Sequence, residues 1–375
     1  MKFIVEDNIN LIEEVKNTLY FIVNEEKLVL SLRDMFKRNG IDGDKYISKD
    51  LKSLFKFIER FKAKNKIPMD KLRIFFKDIS KEHERSHCIA SMLIMNMTPE
   101  ELIEGRKRIL NLDEGELKEL VMKDILCQED YIIDDFPNDE DLYELDAGKE
   151  FMPYLMGKCS LDSETKWWLT VISQNPKTYL VQLLDMIIDS IDNFKETFKV
   201  MEKEVDKFVE ELRGFLDENE NFISDSTGIR CFEEWERDIY IYPGMINFNS
   251  VSFTSNKSFT FNSERNEYMY FGWKIYEFIK TTRGKDNEEE LLIDRLKCIS
   301  DKSKFSIVKM LKEKSMFGQE IATALSLTTA TVSYHMNALV LAKLVYIEKV
   351  ENKVFYNIDK EQINKFLDGL TKELI

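Results

Sequence analysis

The stretch LSLTTATVSYHMNAL, residues 325–339, decides the fold of the C-terminal part of this chain. Thr328 is typical of a helix start, because its side-chain oxygen accepts a hydrogen bond from a backbone N–H that lacks a partner within the helix. Beyond it, Val332, Met336 and Leu339 recur at steps of three and four residues and form one apolar stripe. The stretch therefore predicts a turn followed by an amphipathic helix.

The remaining faces of this predicted helix carry short, uncharged hydrogen-bonding groups. Such groups approach base edges and phosphates without filling the groove of a DNA duplex. The pattern is typical of the recognition helix of a helix-turn-helix. The candidate DNA-contacting residues within it are Thr328, Thr329, Thr331, Ser333, Tyr334, His335 and Asn337.

The sequence before this stretch predicts two more helices. Residues 302–314 place Phe305, Val308 and Leu311 on one helical face, and residues 319–325 predict a short helix that leads into the turn. We expect the three helices to pack together around their apolar faces.

The sequence after it predicts a β-hairpin. Residues 344–350 and 354–358 are rich in β-branched and aromatic residues, and they flank the polar link Glu351-Asn352-Lys353. Three helices followed by a hairpin is the order of a winged helix, whose hairpin tip can touch the sugar-phosphate backbone of DNA. Another small α+β module with the same elements is the alternative.

Residues 325–336 resemble the turn and helix of the bacterial ArsR-type family of winged-helix repressors. The family has a small residue after Leu, then Ser or Thr, then Thr-Val-Ser-x-His-Leu. Its later Ala-Gly-Leu-Val element appears here as Ala342-Lys343-Leu344-Val345, with Lys in place of Gly. The resemblance implies a homodimer that grips two half-sites and regulates transcription, commonly by blocking promoters. It implies DNA contacts by the polar helix residues from Thr328 to His335, with Lys349, Asn352 and Lys353 of the wing near phosphates.

Two departures from the family limit what the resemblance implies. The recognition helix contains no Arg or Lys, so the common bidentate contact with guanine is not open to it. The helix before the turn has no Cys pair, and the final helix has no Asp-x-His set. Metal sensing at the family's usual sites is therefore not expected.

The charge distribution favours selective over general nucleic-acid binding. The formal net charge is −15, which argues against a general nucleic-acid coat protein. Residues 301–359 contain eight Lys and six acidic residues, a surplus of two positive charges. We expect modest affinity for each protomer and a dependence on dimerisation.

Composition indicates a cytoplasmic protein with well-buried cores. The chain has 375 residues, 43% of them hydrophobic, with no apolar run long enough for a membrane helix and no apolar signal-peptide region. The five cysteines are scattered and form no Cys-x-x-Cys pair, which favours ordinary buried thiols in a reducing compartment. We expect no membrane contact and no cofactor.

The fold class predicted from these patterns is α+β. An N-terminal domain over residues 1–283, expected to serve regulation and dimerisation, is mostly helical over 1–220 and β-rich over 238–272. Alternating apolar and polar residues in the β-rich part predict an antiparallel meander with one buried face, to which Phe3-Ile4-Val5 could add a strand. The polar residues 281–287 mark the boundary before a winged helix-turn-helix domain over 291–375.

A competing motif lies in the N-terminal domain. His83-Glu84-Arg85-Ser86-His87 fits H-E-x-x-H, which on a helix places two imidazoles one turn apart to bind zinc, with the Glu as general base. Arg85 places a cation beside the would-be zinc, and no familiar segment supplies a third ligand. A solvated helix face is the preferred interpretation of these residues, and a regulatory metal site or a hydrolase site is the alternative.

The favoured function is a DNA-binding transcription regulator that is not an enzyme. Its expected partners are double-stranded operator DNA, a second copy of the chain and a small-molecule effector of the N-terminal domain. We expect repression, with the effector altering the spacing between recognition helices. The alternative is a zinc-dependent hydrolase or metal-regulated protein that uses His83 and His87.

Overall fold

A computed structural model shows a mostly helical protein with two four-stranded sheets. The predicted combination of a helical N-terminal region and a C-terminal helix-turn-helix is thus present, whereas one feature of the predicted sheet is not. The structure describes residues 3–38, 41–79, 88–94, 97–128, 146–157, 159, 161–218, 229–230, 239–249, 251–261, 263–275, 288–325, 327, 329–350 and 353–375.

Eleven helices are described before residue 219, and most of them pack around one apolar core. They are α1 (Leu11–Arg38), α2 (Gly43–Lys49), α3 (Lys52–Lys64), α4 (Met69–Phe76), α5 (Ile89–Leu93), α6 (Pro99–Asn111), α7 (Glu114–Gln128), α8 (Ala147–Gly157), α9 (Ser163–Gln174), α10 (Pro176–Phe198) and α11 (Glu202–Glu218).

The apolar spacing of the sequence explains how these helices pack. In α3, Leu54, Ile58 and Phe61 follow one another at helical spacing and are at most 1% exposed. The rings of Phe57 and Phe194 meet edge to face at 5.2 Å between centroids, which joins α3 to α10. Helix α10 also packs against α1, α6 and α7, so it contacts helices from most of the region.

The first sheet has the strand order β1-β3-β5-β4, and it is not the antiparallel meander that the sequence predicts. Its strands are β1 (Phe3–Val5), β3 (Ile239–Gly244), β4 (Val251–Ser258) and β5 (Ser263–Gly272). Only β4 and β5 form an antiparallel hairpin; β3 pairs with β5 in parallel, and β1 pairs with β3 in parallel. The extra strand expected from Phe3 to Val5 is present.

The segment that follows β3 explains the unexpected strand order. Glu14 of α1 accepts hydrogen bonds from the backbone N–H groups of Met245 (2.9 Å) and Ile246 (3.3 Å). The backbone then passes so close to Gly272 that a Cβ there would lie 2.2 Å from the carbonyl carbon of Phe248. This path carries the chain past the end of β5, so β4 starts on the far side of β5 and cannot pair with β3.

A buried carboxylate fixes the turn of the β4–β5 hairpin to the helices. Asp124 of α7 is 1% exposed, and it accepts hydrogen bonds from the N–H groups of Phe259 (2.7 Å) and Thr260 (3.0 Å) and from the Ser258 hydroxyl (3.0 Å). Burial raises the pKa of Asp124 to about 6. The hairpin tip is therefore held by a carboxylate whose ionisation has an energetic cost in the folded state.

The C-terminal part contains five helices and the second sheet. The helices are α12 (Glu288–Ser300), α13 (Lys302–Glu313), α14 (Gly318–Leu325), α15 (Thr329–Leu341) and α16 (Lys360–Leu374). The strands are β6 (Met316–Phe317), β7 (Val345–Val350) and β8 (Lys353–Ile358), joined by β2 (Ile229–Arg230) from upstream in the chain.

The strand β2 links the two parts of the chain through backbone hydrogen bonding. The sheet order is β2-β7-β8-β6, with β2 parallel to β7 and with Ile229 and Arg230 in register with Ile347 and Glu348. The sequence did not predict this strand. It lies at the edge of β7 that the hairpin partner β8 leaves open.

The buried apolar side chains fall into two clusters, one between residues 12 and 275 and the other between residues 298 and 345. The predicted boundary over residues 281–287 lies outside the described residues, so it stays a prediction. Cys88, Cys159 and Cys298 are free, buried thiols. None of the described helices combines the length and the apolar character needed to cross a membrane.

Candidate nucleic-acid interface

Helices α14 and α15 form a helix-turn-helix at the predicted place. The turn between them is closed by a hydrogen bond of 3.0 Å from the Leu327 N–H to the Ala322 carbonyl. Helix α15 begins at Thr329, one residue after Thr328, the predicted N-cap residue. Thr328 itself lies outside the described residues.

The predicted apolar stripe of α15 faces the domain interior. Val332, Met336 and Leu339 are each at most 1% exposed and pack in the second apolar cluster. Cys298 of α12 donates from its thiol to the Ala338 carbonyl, at 3.6 Å. Helix α15 is therefore held on the domain by apolar packing of its inner side and by the contact between the Cys298 thiol and its backbone.

The structure corrects the position of His335. The sequence pattern assigns this residue to the polar outer faces, but its side chain is 9% exposed. The spacing itself carries a signal for this burial, because residue 335 lies three positions after Val332 and four before Leu339, on the stripe that the apolar residues define. Because histidine is polar, residue type and position on the helix give opposite predictions for this residue.

The end of α15 is a Schellman motif with a lysine at its left-handed position. The Leu344 N–H donates to the Leu339 carbonyl at 3.0 Å, and the Lys343 N–H donates to the Val340 carbonyl at 2.9 Å. Lys343 has a φ of 56°, the one non-glycine residue with a positive φ among the described residues. The position where the resembled family has Gly thus needs the backbone conformation that glycine adopts without strain.

A buried arginine joins the end of the recognition helix to α12 and α16. Arg295 is 5% exposed; its Nε donates to the Ala342 carbonyl at 3.0 Å, and its Nη2 donates to Gln362 Oε1 at 2.6 Å. Burial lowers the pKa of this guanidinium. The carbonyl next to the left-handed residue is therefore satisfied by a charged donor.

The predicted wing is an antiparallel hairpin of β7 and β8. Val345 pairs with Ile358 at its base and Val350 with Lys353 at its tip. The short strand β6 adds to β8, and the rings of Phe317 and Phe355 meet edge to face at 6.0 Å. The wing therefore projects from a sheet that is packed against α13 and α14.

The predicted contact residues of the helix and the wing are only partly described. Thr331 is half-buried on α15. Lys349 and Lys353 lie in β7 and β8, close to the hairpin tip, and their side chains lie outside the described part. The remaining candidates, whose side chains or whole residues lie outside the described part, are Thr328, Thr329, Ser333, Tyr334, Asn337 and Asn352.

One predicted core residue of α13 points away from the core. Val308 and Leu311 are buried as expected, but Phe305 is 44% exposed and Ile307 is buried instead. On the outside of the helix, the Lys309 ammonium nitrogen lies over the Phe305 ring, 5.3 Å from the ring centroid.

The candidate metal residues His83 and His87 lie outside the described residues, so the alternative that rests on them stays a prediction. Among the residues that the structure describes, no group of three or more His, Cys, Asp or Glu side chains is placed to hold a metal ion.

Residues 301–346 match the family model described as "Bacterial regulatory protein, arsR family". This range begins at the N-cap of α13 and ends within β7, so it covers the helix-turn-helix and the start of the wing. No curated protein matches the chain. The C-terminal part of this chain therefore contains an ArsR-type helix-turn-helix domain, the domain of a family of bacterial regulatory proteins.

Proposed function

We propose that this protein is a transcription regulator that binds operator DNA through α15 and the β7–β8 wing. The observation that carries the proposal is the seating of α15: its apolar stripe is fully buried, so its remaining faces are left for a partner. Short hydroxyl and amide groups on those faces suit the major groove, and the lysines of the wing suit phosphates. The proposed contacts are Thr328, Thr329, Thr331, Ser333, Tyr334, Asn337, Lys349, Asn352 and Lys353.

The test is binding of the purified protein to genomic fragments at two salt concentrations. A double variant, Thr331→Ala with Ser333→Ala, is expected to lose selective binding, while Lys353→Ala weakens binding to all sequences and lowers the salt dependence. Thr323→Ala is the matched control, because Thr323 is exposed on α14 but lies outside the proposed set. Equal binding by the double variant and the wild type would reject α15 as the recognition helix.

We infer that the protein acts as a homodimer through α12 and α16. These helices pack together, since the Gly369 backbone lies against Leu292. Their outer sides expose apolar residues: Leu296 is 42% exposed, and Leu367 is 53% exposed. Exposed aliphatic side chains on neighbouring helices suit a self-complementary interface, and a dimer would present two recognition helices to two half-sites.

This dimer is tested by molar mass in solution. Leu296→Glu with Leu367→Glu is expected to give a monomer that binds DNA more weakly, because two charges from each protomer would be buried in the interface. Phe305→Glu serves as control, since Phe305 is equally exposed but lies on α13. A dimer that survives the double substitution unchanged would exclude this pair of helices.

Control by an effector in the N-terminal region is the last part of the proposal. The pairing of β2 with β7 offers a direct route, because a shift of β2 would act on the wing through the backbone. A cleft of about 1040 Å³ between residues 63–68 and α10, lined by both lysines and aspartates, is a place for a small molecule. Thermal-shift screening followed by DNA titration tests it, and a set of ligands that stabilise the protein without changing DNA affinity would refute it. Binding over a promoter would repress by exclusion, which a reporter assay measures.

A further inference from the structure

The buried His335 contributes to an inward-facing surface of α15. Val332, His335, Met336 and Leu339 follow the i, i+3, i+4, i+7 spacing of one helix side, and all four are at most 9% exposed. Three of them are apolar. The fourth is an imidazole, which can change its charge within the physiological range of pH.

Helix α15 packs against α12 and α13, whose junction is formed by residues 298–304. Cys298 at the end of α12 contacts the Ala338 carbonyl through its thiol. Asp301 begins α13, where its Oδ1 accepts a hydrogen bond of 2.9 Å from the Lys304 N–H. We call residues 298–304 the seat of the recognition helix.

The charges around the imidazole come from this seat. Asp301 favours the protonated ring and Lys304 disfavours it, but burial is the largest influence, and the pKa of His335 is lowered. Helix α15 has no Asp, Glu, Lys or Arg of its own. On α12, two titratable groups face α15: the Cys298 thiol, whose own pKa is raised by burial, and the Arg295 guanidinium, which donates to the Ala342 carbonyl just beyond the end of α15.

The described charged side chains of α14 and β7, the other two elements that pack on α15, have partners of their own. Glu320 of α14 forms an ion pair with Lys314, with 3.1 Å between Oε1 and Nζ. Glu348 of β7 accepts a hydrogen bond of 2.7 Å from the side-chain amide of Asn357. Asp301 and Lys304 are therefore the charges that we consider for the imidazole.

We propose that His335 is a positioning residue that keeps the recognition helix on its seat while neutral, and that its protonation weakens DNA binding as the pH falls. The inference rests on the proposed DNA-binding function. It replaces a direct DNA contact by His335, which the sequence had predicted, with a role exerted through the helix. The partner is still duplex DNA, and the regulatory signal is the proton.

The direction of the effect follows from the burial. A lowered pKa means that the seated helix holds the neutral imidazole, whereas a helix that has left its seat exposes the ring to water and takes up a proton more readily. As the pH falls through the ordinary range of histidine, proton binding thus favours the unseated arrangement. Because one proton is involved in each protomer, the affinity for DNA falls by at most about tenfold for each pH unit and each protomer bound.

The position of the residue makes this loss visible in DNA binding. Thr331 and Ser333 lie within one turn of His335, so a movement that releases the imidazole also moves the proposed contacts. Base contacts by the N-terminal turns of a recognition helix depend on how that helix enters the groove. Unseating is therefore expected to weaken selective binding more than binding to unrelated sequence.

The first experiment uses a duplex selected by the full-length wild type from a random library at pH 7.5. Its affinity is measured between pH 5.5 and 8 for the wild type, for His335→Gln and for a His83→Gln, His87→Gln control, which removes the other two histidines of the chain. The wild type and the control are expected to lose affinity as the pH falls, relative to His335→Gln. Parallel pH profiles for all three proteins would overturn the proposal.

A second variant guards against a merely damaged fold. Asp301→Asn keeps an oxygen that can cap α13 but removes the negative charge that eases protonation of the ring. Because the exposed ring sets the pH at which the loss begins, the variant is expected to start losing DNA affinity at the same pH as the wild type, but the loss should continue to a lower pH and become larger. A loss that ends at the same or a higher pH than in the wild type contradicts the assigned role of the seat.

Two readouts without DNA separate this inference from the proposed function. The chain has three histidines, so the His335 imidazole signal can be assigned by NMR as the one missing from His335→Gln, and it is expected to titrate below 6.5. Hydrogen exchange over residues 329–341 is expected to rise towards low pH, relative to His335→Gln. If no library duplex binds the wild type, the proposed function fails. If the His335 imidazole titrates like an exposed histidine, or if exchange over residues 329–341 depends on pH in the same way in the wild type and in His335→Gln, the role of His335 is overturned.

Discussion

Replacing Lys343 by glycine is expected to stabilise the end of the recognition helix. Lys343 is the left-handed residue of the Schellman motif, with a φ of 56°. A residue with a Cβ loses about 1–2 kcal/mol in this conformation. Glycine avoids that strain but loses roughly 0.5–1 kcal/mol more conformational entropy on folding. The midpoints of the two ranges differ by about 0.75 kcal/mol, so we expect a net gain of about 0.5–1 kcal/mol for Lys343→Gly.

Two further substitutions separate the backbone effect from the side chain. Lys343→Ala removes the ammonium group and most of the stem but keeps a Cβ, so it retains the strain. Lys343→Val adds a branch at Cβ, and a β-branched residue is a poorer fit to this region than lysine. The expected order of stability is Gly above Lys and Ala, with Val lowest.

The assay is hydrogen exchange over residues 329–350, read at the level of peptides. All four tryptophans precede residue 288, so tryptophan fluorescence would report on the N-terminal region instead. A gain of 0.5–1 kcal/mol slows the exchange of amides that open with the helix end by about two- to fivefold. If Lys343→Ala slows exchange as much as Lys343→Gly, the effect belongs to the lysine side chain, and the reasoning from φ is refuted.

Three further predictions concern the N-terminal region. In the wild type, the raised pKa of Asp124 means that stability is present at low pH and is lost as the pH rises through the folded value, a fall of about 3 kcal/mol in the free energy of unfolding between pH 3.8 and 6. Asp124→Asn is expected to remove this fall. Urea unfolding at several pH values measures it, and the same dependence of the free energy of unfolding on pH in the variant and the wild type would contradict the prediction. Glu14→Gln is expected to remove a similar fall in the free energy of unfolding between pH 4.5 and 7, since burial raises the pKa of Glu14 to about 7. A wild type whose free energy of unfolding rises over this range would argue against the prediction. Gly272→Ala is expected to lower the free energy of unfolding by about 3 kcal/mol, because a Cβ would lie 2.2 Å from the backbone carbon of Phe248. Gly157→Ala is the control, since there is open space around Gly157. A decrease in melting temperature no larger than that of the control would show that the loop around Phe248 can move to accept the Cβ.

The helix-turn-helix could be predicted from the sequence because its order is local. The stripe of Val332, Met336 and Leu339, the hairpin after it and the cap predicted at Thr328 all depend on neighbours within a few residues. The same logic reaches His335, whose position on the stripe follows from spacing alone. The prediction failed there because residue polarity was weighed above position on the helix.

The strand order of the first sheet could not be predicted from local pattern. Alternating residues indicate strands, and they do so for β3, β4 and β5, but they say nothing of which strands become neighbours. That choice depends on contacts distant in the sequence, namely the carboxylate of Glu14 on the backbone after β3 and the close approach at Gly272. Strand β2 was missed for the same reason, since two residues have no periodicity.

The pairing of β2 with β7 has a consequence for anyone who divides the chain. A fragment that starts at residue 291, where the predicted winged-helix domain begins, would keep the helix-turn-helix and both wing strands but leave one edge of β7 with unpaired N–H and C=O groups. Such an open edge recruits strands from other molecules. Poor solubility of that fragment would then reflect a missing neighbour, and a fragment extended upstream, or a short peptide covering residues 229–230 added in solution, is the remedy that the fold itself suggests.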